Sequence, residues 1–494
     1  MGYVSLSTTE VERHSVIYLN YSGFDFDVLT TANLTGLSHG DATTGDLNND
    51  GKTDIIMYGI DINNVYGIRT YIKTDLGYEA FDMPYASEMR NVHKIEIFDI
   101  DNDGDNDIIF CGNNLETSIN GLKIYKNNGN LNFELLESVI SPSFIPSHIT
   151  LIDINSDGLM DFIISSLNGS YPNSDPSTRG YINIGNLEFE VILDLGIPDL
   201  AYGDMISGDV NNDGQSDILA CGKTYIDGIG HEYSSKLYIN NNGTFQDSYN
   251  FLIAFISGNC FFSDIDNDGD LDFLICGQAG YDDIMTVIYK NQLITKGKEK
   301  NLQIPANLNS SISEEGITFS WDPVLSPTPH TYNLYVGTTP NGTDIISPSS
   351  NLITGKMHSP GYGNVGFNTT YTLNNLPEGN YYWSVQAINA AYQSSEFATE
   401  ETVIYSGIVN NINNVEVHLS SNPLTENSYL QILNHTNGVK SDLIIYSLDG
   451  KLITKISSYD DKIILNSNNF SQGLYFYQLF ILGKSFSGKF SVVN

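Results

Sequence analysis

Aspartate and asparagine side chains alternate in a nine-residue loop that the chain repeats five times. The copies are DLNNDGKTD at 46–54, DIDNDGDND at 99–107, DINSDGLMD at 153–161, DVNNDGQSD at 209–217 and DIDNDGDLD at 264–272. Oxygen-bearing side chains at every second position of a tightly turned backbone converge on one point, as a hard cation such as Ca²⁺ requires. The glycine at the sixth position permits the turn, because glycine reaches positive φ at little cost. The pattern predicts one calcium site in each copy.

The candidate ligands are the side chains at the first, third, fifth and ninth positions, together with the backbone carbonyl at the seventh position. By copy they are Asp46, Asn48, Asp50, Lys52 and Asp54; Asp99, Asp101, Asp103, Asp105 and Asp107; Asp153, Asn155, Asp157, Leu159 and Asp161; Asp209, Asn211, Asp213, Gln215 and Asp217; and Asp264, Asp266, Asp268, Asp270 and Asp272. Five copies predict about five bound ions.

The loops differ from the calcium loop of an EF-hand. That loop needs a glutamate at position twelve and a helix on each side. The twelfth residues here are Met57, Phe110, Ile164, Ala220 and Ile275. Each loop instead leads into a short apolar run, such as IIFCG after Asp107, which predicts a buried strand. We therefore expect each loop to join two strands.

The loops recur at intervals of 53, 54, 56 and 55 residues, and the sequence between them repeats as well. A further strand and turn follow in most units, as in LKIYKNNGNLNFELL from residue 122. Four strands in a unit of this length are typical of a propeller blade. Over residues 14–292 the units resemble the FG-GAP/VCBS family of calcium-binding β-propeller repeats. The resemblance implies a propeller domain at 1–292, in which calcium holds the first two strands of each blade together.

The number of blades is left open by the sequence. The segment HSVIYLNYSGFDFDVL at 14–29 is typical of the last two strands of a blade, although no acidic loop precedes it. The final unit ends at MTVIYKNQL and lacks an outer strand. Closure between the two ends predicts about six blades, whereas a propeller truncated at its N-terminus would have seven.

Charge excludes some partners. The chain has 59 acidic and 22 basic residues and a net charge of −37, which disfavours nucleic acid and anionic membranes as partners. No stretch approaches the about 20 apolar residues of a transmembrane helix. Calcium loops of this kind and scarce cysteine predict a secreted protein or one on the outer surface of the cell. Of the four cysteines, Cys111, Cys221 and Cys276 occupy equivalent strand positions; we expect unpaired core thiols, with a Cys260–Cys276 disulfide as the alternative.

Residues 302–405 follow a linker at 293–301 and have a different sequence pattern, without the acidic loops. The sequence reads ITFSWDP, then YNLYVGTT, then YTLNNLPEGNYYWSVQAIN. This resembles a fibronectin type III sandwich, with Trp321 on an early strand and LPEG leading into the strand of Trp383. Both tryptophans of the chain lie here, and we expect them to build the core of this domain rather than to stack on sugars.

A second linker at 406–414 precedes a last domain at 415–494. Its marks are Asn422-Pro423 after the first strand, the turn Leu448-Asp449-Gly450-Lys451, the Gly473-Leu474-Tyr475 strand entry and a final Lys489-Phe490 strand. These resemble the type A C-terminal sorting domain of the type IX secretion system of Bacteroidota. The resemblance implies a secretion translocon as partner and export to the cell surface or medium; another small sandwich with no targeting role is the alternative.

The function of the propeller is the least determined part. His39, His93 and His148 precede three successive loops by seven, six and five residues, at the end of the first strand that would lie near the axis of a propeller. A cluster of them could bind a ligand or metal or act as a base, but the changing offset favours ordinary loop or rim histidines. We expect a calcium-stabilised binding protein, an adhesin or a module for extracellular glycan or surface protein, with residues 302–405 as a spacer and no catalytic residues assigned. An enzyme that degrades extracellular polysaccharide, such as a lyase, is the alternative, and a structural surface-layer component is a third.

Overall fold

The computed structural model is all-β. It describes residues 2–5, 11–22, 25–29, 34–38, 40–74, 76–83, 91–114, 119–136, 144–168, 175–226, 230–255, 257–266, 268–279, 283–292, 302–313, 316–405, 416–433, 441–448, 450–481 and 484–493. The chain forms two compact units, Met1–Tyr405 and Ser406–Asn494. Within the described ranges, the only helical element is a 3-10 turn at Ser467–Asn469. None of the described residues form a helix with the length and apolar character needed to cross a bilayer.

Five sheets of the first unit are blades in which consecutive strands pair antiparallel. Blade 1 is β5 (Ala42–Gly45), β6 (Asp54–Ile60), β7 (Tyr66–Thr74) and β8 (Gly77–Phe81). Blade 2 is β9 (Asn91–Phe98), β10 (Asp107–Asn114), β11 (Ile119–Asn127) and β12 (Phe133–Leu136). Blade 3 is β13 (Phe144–Ile152), β14 (Asp161–Asn168), β15 (Asp175–Asn183) and β16 (Phe189–Ile192). Blade 4 is β17 (Leu200–Gly208), β18 (Asp217–Ile226), β19 (Gly230–Asn241) and β20 (Thr244–Asp247). Blade 5 is β21 (Ser257–Ser263), β22 (Asp272–Ala279) and β23 (Asp283–Tyr289).

Neighbouring blades pack through their apolar faces. The second strands supply more of this core than the first or third strands do, because the runs that follow the loops are rich in β-branched and aromatic residues. Between blades 2 and 3, for example, Ile109 packs with Phe162 and Ile149 in one buried cluster. The first strands of successive blades lie side by side, with β9 against β13 and β13 against β17. The first strand of each blade is therefore the innermost one, as in a β-propeller.

The N-terminal strands stay outside these five blades. β1 (Gly2–Ser5) pairs with β2 (Val11–His14), and β3 (Tyr18–Ser22) pairs with β4 (Asp25–Val28). The predicted strand pair of 14–29 is thus present as a hairpin. Among the described strands, it joins no strand of blade 5, and blade 5 has three strands. The described part of the propeller contains five blades, and closure into a sixth is not seen there.

Residues 302–405 form a β-sandwich. One sheet contains β24 (Ala306–Ile312), β25 (Gly316–Asp322) and β27 (Thr370–Asn374), and the other contains β26 (Thr331–Gly337), β28 (Gly379–Ile388) and β29 (Glu401–Tyr405). Trp321 and Trp383 are buried in the core between these sheets, as expected. The segment belongs to the same compact unit as the propeller.

The second unit is another sandwich. Its sheets are β30 (Glu416–Leu419), β31 (Tyr429–Leu433) and β34 (Lys462–Ile464), and β32 (Ser441–Ser447), β33 (Leu452–Ser458), β35 (Gly473–Ile481) and β36 (Lys484–Val492). Phe490 is fully buried between them. Asn422 accepts a hydrogen bond at Oδ1 from the N–H of Ser491 at 2.8 Å, which ties the Asn-Pro turn to the final strand. Asp449 lies outside the described residues.

Candidate calcium loops and central cavity

All five acidic loops connect the first strand of a blade to the second strand. They therefore lie at the same end of their blades, and every predicted ligand residue lies in one of them. The glycine at the sixth position has φ between 80° and 96° in the five copies. The fourth position is also left-handed where it is described, at Asn49, Asn102, Ser156 and Asn212. Asparagine tolerates that conformation better than most residues, which explains its frequency there.

The first aspartate organises each loop. Asp99 accepts hydrogen bonds from the N–H of Gly104 at 2.7 Å and from the N–H of Asp103 at 3.1 Å. The equivalent pair of bonds occurs at Asp46, Asp153, Asp209 and Asp264. These bonds close each loop around its first aspartate.

Two loops bring carboxylate oxygens together most closely. One oxygen from each of Asp99, Asp101 and Asp107 lies within 4.8 Å of the other two, and the same holds for Asp264, Asp266 and Asp268. Asp101 Oδ1 is buried and finds no hydrogen-bond partner in the described chain. An oxygen-only donor set with an unsatisfied buried carboxylate oxygen fits a hard divalent cation. Asp101 and its neighbours would hold the ion, which would supply the missing positive charge.

Lysines approach the same two loops. Lys126 Nζ contacts Asp101 and lies 3.1 Å from Asp103 Oδ2, and Lys290 Nζ contacts Asp266. Only these two loops contain five aspartates. The corresponding residues of blades 3 and 4 are Ile182 and Ile239, beside loops with three aspartates. The lysines therefore offset the additional negative charge.

The ninth aspartate has a second role that the sequence pattern does not reveal. Asp161 is fully buried, and it accepts hydrogen bonds from Ile154 N–H at 2.8 Å and from Asn183 N–H at 2.7 Å. Asp54, Asp107, Asp217 and Asp272 make equivalent bonds. The carboxylate thus joins its own loop to the third strand of its blade. Burial raises the pKa of Asp161 to about 8.

In blades 2 to 5, an asparagine at the end of the third strand or just after it links the blade to the preceding one. Asn183 Nδ2 donates to the carbonyl oxygen of Ile100, in the loop of blade 2, at 2.7 Å, and to that of Met160 at 3.2 Å. We call this pair of bonds the asparagine clasp. It recurs at Asn127, Asn240 and Asn291. In the sequence these asparagines end the motifs YKN, YIN, YIN and YKN, which are typical of an ordinary strand end.

The 302–405 sandwich packs directly on the loops and does not extend away as a spacer. Tyr371 donates its hydroxyl to Asp46 Oδ2 at 3.0 Å, and Asn368 Nδ2 donates to Asp99 Oδ2 at 2.5 Å. The N–H of Asp209 donates to the carbonyl of Ala390 at 2.9 Å. The sandwich therefore contacts the first aspartate of the loops of blades 1, 2 and 4.

A cavity of about 1320 Å³ lies between the inner strands and the sandwich. Its propeller wall includes Lys94, Glu96, His148 and Asp204, and its sandwich wall includes Tyr362. Lys94 Nζ lies 3.3 Å from Glu96 Oε1. Burial raises the pKa of Glu96 in spite of this lysine. The cavity thus encloses a cluster of hydrogen-bonding and ionisable groups near the propeller axis.

Two of the three predicted histidines line this cavity. His148 Nε2 lies 3.1 Å from Asp204 Oδ1 and 3.0 Å from the carbonyl oxygen of Met205. His93 also lines the cavity, and burial lowers its pKa. His39 lies outside the described residues. The sequence did not single out Asp204, which lies on β17 beside the strand of His148, or Glu96, which lies on β9 with His93.

Comparison with known families gives one match. The model of the FG-GAP-like repeat matches residues 99–164 and 209–275. Each match begins with one acidic loop, includes the next loop and ends in the second strand of the following blade. The chain contains FG-GAP-like repeats. The two matches cover the loops of blades 2 to 5, and the loop of blade 1 has the same bonding pattern. No curated protein matches the sequence.

Three solved structures are similar in part. The crystal structure of an exotype rhamnogalacturonan lyase, YesX, shares 12% identity, with 79% of this chain and 74% of that chain covered and a TM-score of 0.33. A structure titled glycoside hydrolase shares 7% identity, with 54% of this chain and 92% of that chain covered and a TM-score of 0.32. The chicken interferon gamma receptor alpha chain shares 10% identity, with 38% of this chain and 98% of that chain covered and a TM-score of 0.16.

Proposed function

We propose that this chain is a calcium-stabilised propeller protein of the cell exterior that binds an extracellular glycan in the central cavity. The observation that carries the proposal is the polar cluster of Lys94, Glu96, His148 and Asp204 in one large cavity. Sugars present many hydroxyl groups, which bind to alternating donors and acceptors of this kind. The cavity exceeds the about 300–1,000 Å³ usual for small ligands, so it has room for several sugar units.

The FG-GAP-like repeats would serve as the calcium-binding scaffold of this site. Each ion would neutralise buried carboxylates and fix the loop on which the sandwich rests. The ions would be structural, because Tyr371 and Asn368 already cover the loops of blades 1 and 2. The chain's own residues in the cavity would make the contacts to the glycan.

Replacing Asp268 tests the calcium assignment. In Asp268→Ala the melting temperature should fall in calcium and change little in chelator, because Asp268 is one of three converging carboxylates in its loop. Asp283→Ala is the matched control, since Asp283 is exposed and lies outside the loops. Equal losses with and without calcium would refute a metal-ligand role for Asp268.

A glycan array of the 1–405 unit, read in calcium and in chelator, tests the binding function. We expect calcium-dependent binding of the intact protein and loss of binding in Glu96→Gln. Glu401→Gln, on the exposed edge of the sandwich, should bind normally. Binding that survives Glu96→Gln unchanged would place the glycan elsewhere, and no binding to any sugar would favour a protein ligand.

A polysaccharide-cleaving activity is the second candidate. The pairing of His148 with Asp204 favours it, because a carboxylate that orients an imidazole assists its action as a general base. An elimination catalysed by such a base leaves an unsaturated sugar that absorbs ultraviolet light. Incubating the bound glycans with the protein should produce this absorbance, and His148→Gln should abolish it. If no unsaturated products form, the binding function is favoured over the cleaving activity.

For the second unit we propose a type IX sorting role. The bond between Asn422 and Ser491 and the burial of Phe490 give structural roles to two of the marks that carry the resemblance. Residues 406–494 fused to a reporter should direct its secretion in a Bacteroidota host that has this system. Retention of the fusion inside the cell would exclude the role.

A further inference from the structure

Two cysteines from neighbouring blades face each other in the wall of the propeller. Cys221 lies on β18 of blade 4 and Cys260 on β21 of blade 5, and their sulfur atoms are 3.4 Å apart. Both side chains are about 1% exposed. The Cys221 thiol also lies 3.6 Å from the carbonyl oxygen of Gly258, to which it can donate. Both cysteines are free thiols.

The other two cysteines are differently placed. Strand pairing sets Cys260 opposite Ile275 and Asn259 opposite Cys276. Since successive residues of a strand point to opposite faces, Cys260 and Cys276 lie on different faces of blade 5. Cys111 is buried between blades 2 and 3. This register disfavours the Cys260–Cys276 pairing considered from the sequence.

The immediate surroundings of the pair provide a reactive form. Cys260 lies on a strand that lines the central cavity, but both sulfur atoms are buried in the core between blades 4 and 5, so an oxidant reaches them when these blades separate locally. The Cys260 S–H donates a hydrogen bond to Cys221 Sγ, which lowers the pKa of the Cys221 thiol despite its burial. A thiolate is the form that attacks sulfur.

We propose that Cys221 and Cys260 form a disulfide that cross-links blades 4 and 5 when the protein meets a small-molecule disulfide such as oxidised glutathione. Cys221, as its thiolate, attacks one glutathione sulfur and releases the other half as a thiol after protonation. Cys260, once deprotonated, then attacks Cys221 Sγ and expels the second glutathione. The protein loses two hydrogens and two electrons, and one glutathione disulfide becomes two thiols.

The cross-link would hold the last blade in place. Blade 5 has three strands and stands at the end of the series, so one neighbouring blade supports it among the described strands. A disulfide between residues 221 and 260 restricts the unfolded chain over that whole interval. The disulfide would form irrespective of which ligand the cavity binds.

Mass mapping of the full chain tests the inference directly. The protein is purified with reductant, treated with oxidised glutathione, blocked with an alkylating agent in denaturant and digested. We expect one linked peptide pair that contains Cys221 and Cys260, with Cys111 and Cys276 alkylated. The oxidised protein should also melt at a higher temperature than the reduced protein.

Variants supply the controls. Cys276→Ser and Cys111→Ser should form the cross-link and retain the rise in melting temperature, whereas Cys260→Ser should lose both. A Cys260–Cys276 linkage would overturn the proposal. Finding all four cysteines alkylated in the wild-type protein after oxidation would also overturn the proposal. That result does not depend on whether any variant folds.

Discussion

Asn240, on the third strand of blade 4, donates a hydrogen bond from Nδ2 to the carbonyl oxygen of Ile154 in the acidic loop of blade 3 at 3.0 Å. Its second bond, to the carbonyl of Ser216, reaches the loop of its own blade at 3.1 Å. One side chain thus fixes the positions of two neighbouring loops. The propeller is held together by polar clasps at its loop face as well as by apolar packing between blades.

Removing a clasp should destabilise the propeller. Asn240 is about 1% exposed, so Asn240→Ala leaves two buried carbonyl groups without this donor. Each unsatisfied buried group costs about 1–3 kcal/mol. We expect a loss of this order in the free energy of unfolding, measured by denaturant titration of the 1–405 unit. Asn241→Ala is the control, because the adjacent Asn241 is exposed; an equal effect at both positions would contradict the clasp.

Stability without calcium should fall as pH rises. Burial raises the pKa of Asp161 and of Asp217 to about 8, whereas the unfolded value is about 3.8. Between these values the folded protein holds protons that the unfolded chain has lost, so raising the pH disfavours folding. In chelator the melting temperature should therefore be higher at pH 5 than at pH 8.5.

Calcium should reverse this trend. An ion that replaces the protons favours the ionised carboxylates, and its apparent affinity should rise with pH because protons compete for the same oxygens. Calorimetric melting at several pH values, with and without calcium, measures both effects. A melting temperature in chelator that rises steadily from pH 5 to pH 8.5 would be inconsistent with the buried, protonated aspartates.

Lys126 should act as a partial substitute for the cation in blade 2. Its ammonium group lies against Asp101 and 3.1 Å from Asp103, both in a loop with five aspartates. Lys126→Met should lower stability in chelator, since the carboxylates then repel each other without compensation. The same change should increase calcium affinity at this loop, because the lysine no longer competes.

Calcium titration calorimetry of the 1–405 unit separates these two effects. Lys236→Met is a matched control, because Lys236 pairs with Asp247, which lies outside the loops. Unchanged affinity in Lys126→Met would show that the lysine and the ion do not share the site.

Tyr371 should couple the sandwich to the first loop. Its side chain is 7% exposed, and its hydroxyl binds a carboxylate oxygen of Asp46. Hydrogen bonds to charged groups contribute about 1.5–3 kcal/mol. Tyr371→Phe should therefore reduce the stability of the 1–405 unit more than Tyr381→Phe, whose hydroxyl binds the Pro377 carbonyl within the sandwich. Equal losses in thermal melting would argue against a specific role for the contact with the loop.

The sequence predicts the local features of this molecule well. The all-β class, the loop between the first two strands of each blade and the buried positions of Trp321 and Trp383 follow from short patterns of residue type. These features depend on neighbours within a few residues. Periodicity and turn chemistry are sufficient to find them.

The remaining features depend on residues far apart in the sequence. The clasp between Asn240 and Ile154 spans 86 residues, and the bond between Tyr371 and Asp46 spans 325. Each joins groups whose types are common at strand ends, so no local pattern marks them. The cavity wall likewise required Asp204 to lie beside His148, which depends on how two blades pack.

The clasp has a direction. Every described clasp reaches from one blade to a loop that precedes it in the chain, and blade 1 carries Lys73 in place of the asparagine. During synthesis on the ribosome, the acceptor of each new blade has therefore already emerged when its asparagine appears. The blades can therefore fold in the order of translation, because each folded blade already presents the carbonyl group that the asparagine of the next blade binds.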